Sequence, residues 1–278
     1  MQSKKLKRRR TKLAGYTSIG IGGSAPLYIP KSLDELKRFI DLHRHYRCIG
    51  SGTNILLTFD KSNIPFISLG NFSEIKKYGD IFCVGAGCLL SVFAKYTTLM
   101  GYTGLEWAVY AYGTVGGAII GNAAMYRNNP ISSKLAVVTT LRGGSQDFTM
   151  YIKDELKFRY RECSLPCNDI IVNATFCLTK GSSSVIEKKL RLAKNVRRAQ
   201  LFWCKGYKRF GNFWKDYHII KENILDIQVL ETDKLLMPTM LPGWILNKGS
   251  ATAKDILLFA DAVEKDIQVK LRREVIVY

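Results

Sequence analysis

Two glycine-rich segments place the tightest constraint on how this chain can fold. The first consists of Gly50, Ser51, Gly52, Thr53 and Asn54, and the second, about sixty residues later, spans residues 113–122 with the sequence GTVGGAIIGN. Glycine lets main-chain N–H groups approach a ligand without a Cβ in the way, and successive N–H groups that point into one concavity bind an anion. Neither segment has the spacing of the two standard nucleotide-binding loops. The sequence therefore predicts either a phosphate-bearing cofactor held at both segments or two tight turns in a packed α/β domain.

Length and charge narrow the class of protein. A chain of 278 residues that is 47% hydrophobic and 23% charged has the composition of a globular protein, near the size at which chains divide into two or three lobes. Its net charge of +19 favours anionic partners. Seven of the basic residues lie within the first twelve positions, which predicts a disordered basic arm over residues 1–15. The arm could contact nucleic acid or an anionic membrane, or have no specific role. No motif for reading nucleic acid is recognisable, so no specific nucleic-acid partner is expected.

The cysteines indicate the redox compartment of the protein, and the histidines indicate whether a metal site is expected. The seven cysteines are odd in number and form no C-x-x-C pair, which fits a reducing cytoplasm better than a disulfide framework. No apolar signal-peptide core follows the basic arm. Three histidines are too few to predict a metal site. Residues 107–126 carry no charge and are long enough to span a bilayer, but their glycines and polar side chains favour a buried run that faces a cofactor.

Hydrophobic periodicity predicts alternating helices and strands. Helices are expected over residues 32–45 and 89–100, and two more are expected to begin at Ser184 and at Thr252. Two of these begin with capping-box spacing, Ser32 with Glu35 and Ser184 with Glu187, and Thr252 is followed three residues later by Asp255. The basic stripe on the helix that begins at Ser184 is expected to be a solvated face. Strands are expected over residues 46–49, 55–59, 64–69, 81–84, 136–141, 148–152, 170–178 and 274–278.

Four segments, taken together, resemble one enzyme family. They are residues 18–25 (SIGIGGSA), residues 50–54, residues 104–107 (GLEW) followed by 113–122, and residues 245–256 (ILNKGSATAKDI) with Glu274 and Val275 beyond them. In order and spacing they are similar to motifs of the UDP-N-acetylenolpyruvoylglucosamine reductases, flavoenzymes of bacterial cell-wall synthesis. The match is dense over residues 18–179 and 244–275 and poor between them.

The resemblance implies an α+β fold. It predicts a two-lobed FAD-binding fold of the vanillyl-alcohol-oxidase/PCMH type, with lobe 1 over residues 16–69 and lobe 2 over residues 70–179 together with 255–278. A smaller, diverged α+β lobe over residues 180–254 would cover the UDP-sugar. In the family, NADPH reduces FAD, and the flavin then passes a hydride to the enolpyruvyl double bond of UDP-N-acetylglucosamine-enolpyruvate, which yields UDP-N-acetylmuramate for peptidoglycan. The resemblance therefore implies an NADPH-dependent oxidoreductase of the bacterial cytoplasm, expected to be a monomer without a membrane span.

The family's site residues carry over position by position. Residues 50–54 would wrap the FAD pyrophosphate, with the Asn54 amide fixing the loop. The second glycine segment would line the flavin and its phosphates through Gly113, Thr114, Gly116, Gly117 and Asn122. Residues 158–163 (FRYREC) resemble the family's F-x-Y-R-x-S motif, which makes Arg161 the catalytic arginine that pairs with the substrate carboxylate and stabilises the developing enolate. Glu274 corresponds to the carboxylate that completes the site.

The chain departs from the family at the proton donor. The family has a serine there, whereas residues 211–216 (GNFWKD) place Asn212 at that position. An amide cannot release a proton at a useful pKa, and loss of a general acid typically costs about 10²- to 10⁴-fold in rate.

The chain also departs from the family at other positions. Residues 227–242 lack the expected paired glycines and histidine. Ala124 and Arg127 replace glycines, which predicts backbone strain at these two positions. Three functions stay open: a divergent reductase, a catalytically impaired flavin-binding or partner-binding descendant, and a basic nucleic-acid binder.

Overall fold

The computed structural model describes residues 9–125, 129–143, 147–204 and 206–278, without the side chain of Arg9. The described chain divides into two compact units. The first contains Pro26–Ser51 and Ile64–Asn195, and the second contains Arg10–Ala25, Gly52–Asn63 and Val196–Tyr278. This division separates Ser51 from Gly52 and does not follow the predicted lobes, whose boundaries concern bound ligands and stay a prediction.

The four predicted helices are present: the two expected over residues 32–45 and 89–100 are shorter, and the two expected to begin at Ser184 and Thr252 begin within one residue of those positions. The helices are α1 (Leu33–Leu42), α2 (Leu90–Leu99), α3 (Val115–Ile120), α4 (Ser183–Cys204), α5 (Tyr217–Glu222) and α6 (Ala253–Asp266), with 3-10 helices at Leu13–Tyr16, Glu106–Tyr110, Ile131–Ser133 and Lys153–Leu156. The strands are β1 (Arg9–Lys12), β2 (Ser24–Tyr28), β3 (Arg47–Cys48), β4 (Ile55–Leu56), β5 (Phe66–Ile67), β6 (Ile75–Tyr78), β7 (Ile81–Gly85), β8 (Tyr102–Thr103), β9 (Leu135–Arg142), β10 (Phe148–Ile152), β11 (Asp169–Cys177), β12 (Thr179–Lys180), β13 (Lys208–Asn212), β14 (Leu235–Leu236), β15 (Trp244–Asn247) and β16 (Ile276–Val277).

The first unit is built on a five-stranded antiparallel sheet in the order β10-β9-β11-β7-β6. Alternate residues of β7 and β11, among them Phe82 and Phe176, point to one face and are fully buried. Phe93 of α2 packs edge-on and tilted against these two rings. On the other side of the unit, β5 pairs in parallel with β3 and with the end of β2, and α1 buries Leu36, Phe39 and Ile40 beside them.

The second unit has its own core. Strands β13, β15 and β14 form an antiparallel sheet, and β16 pairs in parallel with β4. The core contains Phe210, Phe213 and Trp214, which are fully buried, together with the apolar face of α6. The indole N–H of Trp214 donates to the buried carboxylate of Glu264 at 2.9 Å, so the largest side chain of this core has its polar atom satisfied.

Residues 10–15 are ordered, contrary to what the charge pattern predicts. Arg10 lies in β1, and its guanidinium donates to the Ser62 carbonyl at 3.1 Å and to the Asn63 side chain at 3.0 Å. Leu13 is fully buried. The expectation of a disordered arm is therefore wrong for residues 10–15, because an apolar side chain and a charged one both find partners there. Residues 1–8 lie outside the described residues.

The uncharged run over residues 107–126 does not form one long helix. Its described part contains the end of the 3-10 helix Glu106–Tyr110 and the six-residue α3. None of the helices in the described ranges is long and apolar enough to cross a bilayer. The described residues also contain no group of three His, Cys, Asp or Glu side chains placed to hold a metal ion.

The capping box of α6 gives a stability prediction. The Thr252 hydroxyl accepts from the Asp255 N–H at 3.2 Å, and the Asp255 carboxylate accepts from the Thr252 N–H at 2.8 Å. We expect Thr252→Ala to lower the free energy of unfolding by about 1 kcal/mol in denaturant titrations, because it leaves a helix N–H without its acceptor. Thr252→Ser keeps the hydroxyl and is the control; equal destabilisation by both substitutions would contradict this account of the helix start.

Candidate functional site

The two glycine segments touch each other within the first unit. A Cβ built on Gly50 would lie 2.6 Å from Oγ1 of Thr114 and 3.4 Å from its Cγ2. Only glycine therefore fits at position 50 while Thr114 keeps its place. The structure thus brings together two turns that lie about sixty residues apart in the sequence, as a shared ligand would require.

The main-chain N–H groups of residues 50–54 are the most distinctive feature of the first segment. None of these five groups donates a hydrogen bond to any of the described residues. Gly52 is buried and has φ +57°, and a Cβ there would collide with the Tyr16 carbonyl. A buried N–H without an acceptor, as at Gly52, is costly, and a run of N–H groups without acceptors in a glycine turn is typical of an anion-binding nest. The segment therefore has the donors that a phosphate group needs.

The second glycine segment forms the start of α3. Thr114 caps this helix, with its hydroxyl accepting from the Gly117 N–H at 3.3 Å, and Gly113 precedes it with φ +112°. The Gly116 N–H donates to the Ala86 carbonyl at 2.9 Å, and a Cβ at Gly116 would come within 3.1 Å of the Ala86 Cβ. Glycine at position 116 therefore lets α3 pack against the end of β7. The N–H groups of Gly116 and Gly117 already donate hydrogen bonds within the protein. These two glycines can therefore contact a ligand only by van der Waals packing.

Asn122 and Arg161 lie together at the end of this segment. The Asn122 amide donates to the Arg159 carbonyl at 2.8 Å, and one guanidinium nitrogen of Arg161 donates to the Ala124 carbonyl at 3.1 Å. Asn122 is 7% exposed, and its Oδ1 accepts from no donor in the described part of the chain. Both residues have positive φ, +38° for Asn122 and +56° for Arg161. Such backbone strain outside glycine is characteristic of functional sites.

One of the departures from the family does not have the consequence expected. Ala124 is not among the residues with positive φ, so the strain predicted there is wrong, and Arg127 lies outside the described residues. Burial raises the pKa of the Cys163 thiol, which replaces the family's serine.

Hydrogen bonds link two of the predicted site residues, Asn54 and Glu274, to the neighbour of a third in the second unit. The Asn54 amide donates to the Glu274 carbonyl at 2.9 Å, and the Glu274 N–H donates to the Phe213 carbonyl at 2.8 Å. Phe213 follows Asn212, which is half-buried at the end of β13. The first glycine turn, the predicted carboxylate and the donor position are therefore neighbours.

A charged pair fixes the far end of the donor segment. The Asp216 carboxylate accepts from two nitrogens of the Arg272 guanidinium at 2.6 and 3.0 Å, and the Lys215 N–H donates to the Arg272 carbonyl at 2.8 Å. The hydrogen bond from Arg272 lowers the pKa of Asp216. This arrangement clamps residues 212–216 beside the chain that carries Glu274, so a donor placed at position 212 would be held in a defined place.

The sequence predicted no role for Glu106, although Glu106 lies in the segment 104–107 that resembles the family. Glu106 is 1% exposed, and its carboxylate accepts from the Gly104 N–H at 2.7 Å and from the Thr103 hydroxyl. Lys189 of α4 lies 3.7 Å from it, so this member of the basic stripe is not simply solvated. A lone carboxylate at the edge of a long uncharged run was the signal that could have identified it, because buried carboxylates need partners.

Comparison with known proteins agrees with this geometry. A family model described as an FAD binding domain matches residues 25–142. The chain is 31% identical to the UDP-N-acetylenolpyruvoylglucosamine reductase of Halalkalibacterium halodurans, over 95% of this chain and 91% of the relative. It is 28% identical to that of Clostridium novyi, over 94% and 87% of the two chains.

The fold of this protein is also similar to that of a solved structure. The crystal structure of the reductase from Thermus caldophilus superposes with a TM-score of 0.84 at 26% identity, covering 98% of this chain and 99% of that one. The predicted α+β fold with an FAD-binding part is therefore confirmed. Because a relative with 31% identity is matched over nearly its whole length, this chain belongs to the UDP-N-acetylenolpyruvoylglucosamine reductase family.

Proposed function

We infer that the protein is an FAD-dependent oxidoreductase that reduces UDP-N-acetylglucosamine-enolpyruvate to UDP-N-acetylmuramate with NADPH, for peptidoglycan precursor synthesis. The observation that carries this conclusion is the match to reductases of that name over almost the full length of both partners. The matched FAD binding domain over residues 25–142 supports the cofactor independently.

The residues of the first glycine segment fit an FAD diphosphate. Their five N–H groups have no acceptor among the described residues, and Gly50 leaves room for the second segment to approach. We propose that residues 50–54 bind the diphosphate through these N–H groups, and that Asn54 holds the turn in place through its bond to the Glu274 carbonyl. Gly113, Thr114, Gly116, Gly117 and Asn122 would line the flavin side, with the buried Oδ1 of Asn122 available to a ligand N–H.

Arg161 and Glu274 are proposed to act on the substrate. When bound, FAD supplies the hydride that adds to the enolpyruvyl double bond. The Arg161 guanidinium pairs with the substrate carboxylate and offsets the negative charge that develops on it as the neighbouring carbon becomes enolate-like. Its hydrogen bond to the Ala124 carbonyl orients the guanidinium. The Glu274 carboxylate completes the site on a segment tied to Phe213.

The protonation step is where this chain differs from its relatives. The Asn212 amide can orient the enolate by a hydrogen bond but cannot give it a proton. Water or another acid would have to complete the reaction. This substitution favours a second candidate function, a catalytically impaired flavin-binding or partner-binding descendant in which the FAD part is retained and the sugar-binding part has changed.

We further propose that the protein acts as a monomer in the bacterial cytoplasm. The described cysteines are all free thiols, among them Cys167 and Cys177 on the surface. Exposed thiols persist most readily in a reducing compartment. Size-exclusion chromatography with light scattering tests the monomer directly.

The purified protein tests the reductase proposal. We expect it to retain a yellow flavin with an oxidised-flavin absorption spectrum, and to oxidise NADPH only when UDP-N-acetylglucosamine-enolpyruvate is present. Flavin without substrate-dependent NADPH oxidation would favour the impaired descendant. A protein that binds no flavin would refute both functions.

Asn212→Ser tests the role of the donor position. A serine there can give a proton to the carbanionic carbon, so we expect kcat to rise by about 10²-fold with little change in FAD content. Asn212→Ala is the matched control, because it removes the amide without adding a donor. If the serine variant is no faster than the alanine variant, position 212 is not the donor site in this chain.

Gly50→Ala tests the contact between the two glycine segments. The new Cβ would press on Thr114 at 2.6 Å, so we expect FAD affinity to fall by at least about ten-fold while the protein stays folded by circular dichroism. Gly70→Ala is the control, because a Cβ there meets only the Ser68 hydroxyl at 3.9 Å and φ is not positive. Equal FAD affinity in both variants would contradict a cofactor role for this contact.

A further inference from the structure

The loop over residues 16–21 lies between the first glycine turn and strand β13 in the second unit. On one side, the Ser18 N–H donates to the Gly52 carbonyl at 3.0 Å. On the other side, the Ser18 hydroxyl donates to the Arg209 carbonyl at 2.7 Å and the Ser18 carbonyl accepts from the Arg209 N–H at 3.0 Å. Ser18 therefore fixes the distance between the turn and β13.

Lys208 crosses this loop at Gly20. Gly20 has φ +73°, and a Cβ built on it would collide with the Lys208 side chain and lie 2.9 Å from its Nζ. The missing Cβ leaves a path for the lysine stem from β13 across the loop. Main-chain pairing of Lys208 with Asn247 fixes the start of the stem, and the Asn247 amide donates to the Ile19 carbonyl at 2.9 Å. Strand and loop are therefore held on both sides of the crossing.

The Lys208 ammonium is exposed and pairs with no acceptor in the described part of the chain. The adjoining turn, residues 52–54, presents N–H groups that likewise have no acceptor there. N–H groups supply partial positive charge but do not neutralise a diphosphate, which carries two full negative charges. A cation beside such a turn adds charge-assisted hydrogen bonds, which are stronger than neutral ones.

We propose that Lys208 is the side-chain cation that pairs with the FAD diphosphate at residues 52–54. This inference rests on the proposed FAD-dependent function and adds a residue that the family motifs do not contain. Lys208 is a binding residue in this account and takes no part in hydride or proton transfer. The ligand chemistry that it recognises is a diphosphate, which the UDP-sugar substrate also carries, so the experiment must separate the two.

The test titrates FAD into the full-length apoprotein and follows the quenching of flavin fluorescence. We expect Lys208→Gln to raise the Kd for FAD by about ten-fold and to weaken the dependence of this Kd on salt concentration. Lys208→Arg keeps the charge and should bind FAD within about two-fold of the unsubstituted protein. Lys265→Gln, which removes an exposed charge from α6, should leave the Kd unchanged and is the matched control.

Three results would overturn the inference. They are an unchanged Kd for FAD in Lys208→Gln, an equal loss of affinity in Lys265→Gln, and a rise confined to KM for the UDP-sugar with FAD affinity unchanged. The last result would assign the cation to the substrate's diphosphate. Failure of the proposed function is distinguishable, because the unsubstituted protein would then bind no FAD at all.

Discussion

The close approach of Gly50 to Thr114 is the constraint on which the cofactor site depends. It leaves no room for a Cβ at position 50, and it brings the capped start of α3 to a turn whose N–H groups have no acceptor among the described residues. The N–H of buried Gly52 is the costliest of these to leave without a partner, because an unpaired buried N–H costs about as much as a lost hydrogen bond. The turn therefore presents donors to an anion before any anion binds.

In the second unit, the hydrogen bonds that hold the site together do not involve the side chain at the proton-donor position. The Asn54 side-chain amide donates to the Glu274 carbonyl and the Glu274 N–H donates to the Phe213 carbonyl, and neither bond depends on the side chain at position 212. A change from serine to asparagine there can remove a proton donor without disturbing the loop that holds the cofactor. This independence explains how a chain of this family can keep the FAD part of the fold while its catalysis is weakened, and why the two candidate functions share the same structure.

Short sequence patterns predicted where helices begin, whereas contacts between residues distant in the sequence determine what individual side chains do. The pairs Ser32 with Glu35 and Thr252 with Asp255 predicted the starts of α1 and α6, because the partners lie within four residues. The capping box predicted at Ser184 with Glu187 is wrong, because α4 begins at Ser183 and Ser184 lies inside it. The role of Gly116 could not be predicted, since the Ala86 that it packs against lies thirty positions earlier. For the same reason Lys189 looked solvated, although it pairs with Glu106, and residues 10–15 looked disordered, although Leu13 is buried. The resemblance named the site residues, but only the structure revealed which N–H groups already have acceptors.

Hydrogen–deuterium exchange of the backbone tests the central claim most directly. Amides of residues 50–54 have no acceptor among the described residues in the free protein, so they should exchange rapidly. Saturation with FAD should slow their exchange markedly, while amides within α6 exchange as before. If FAD binds and the exchange of residues 50–54 does not change, the glycine turn does not hold the diphosphate and the account of the site is wrong.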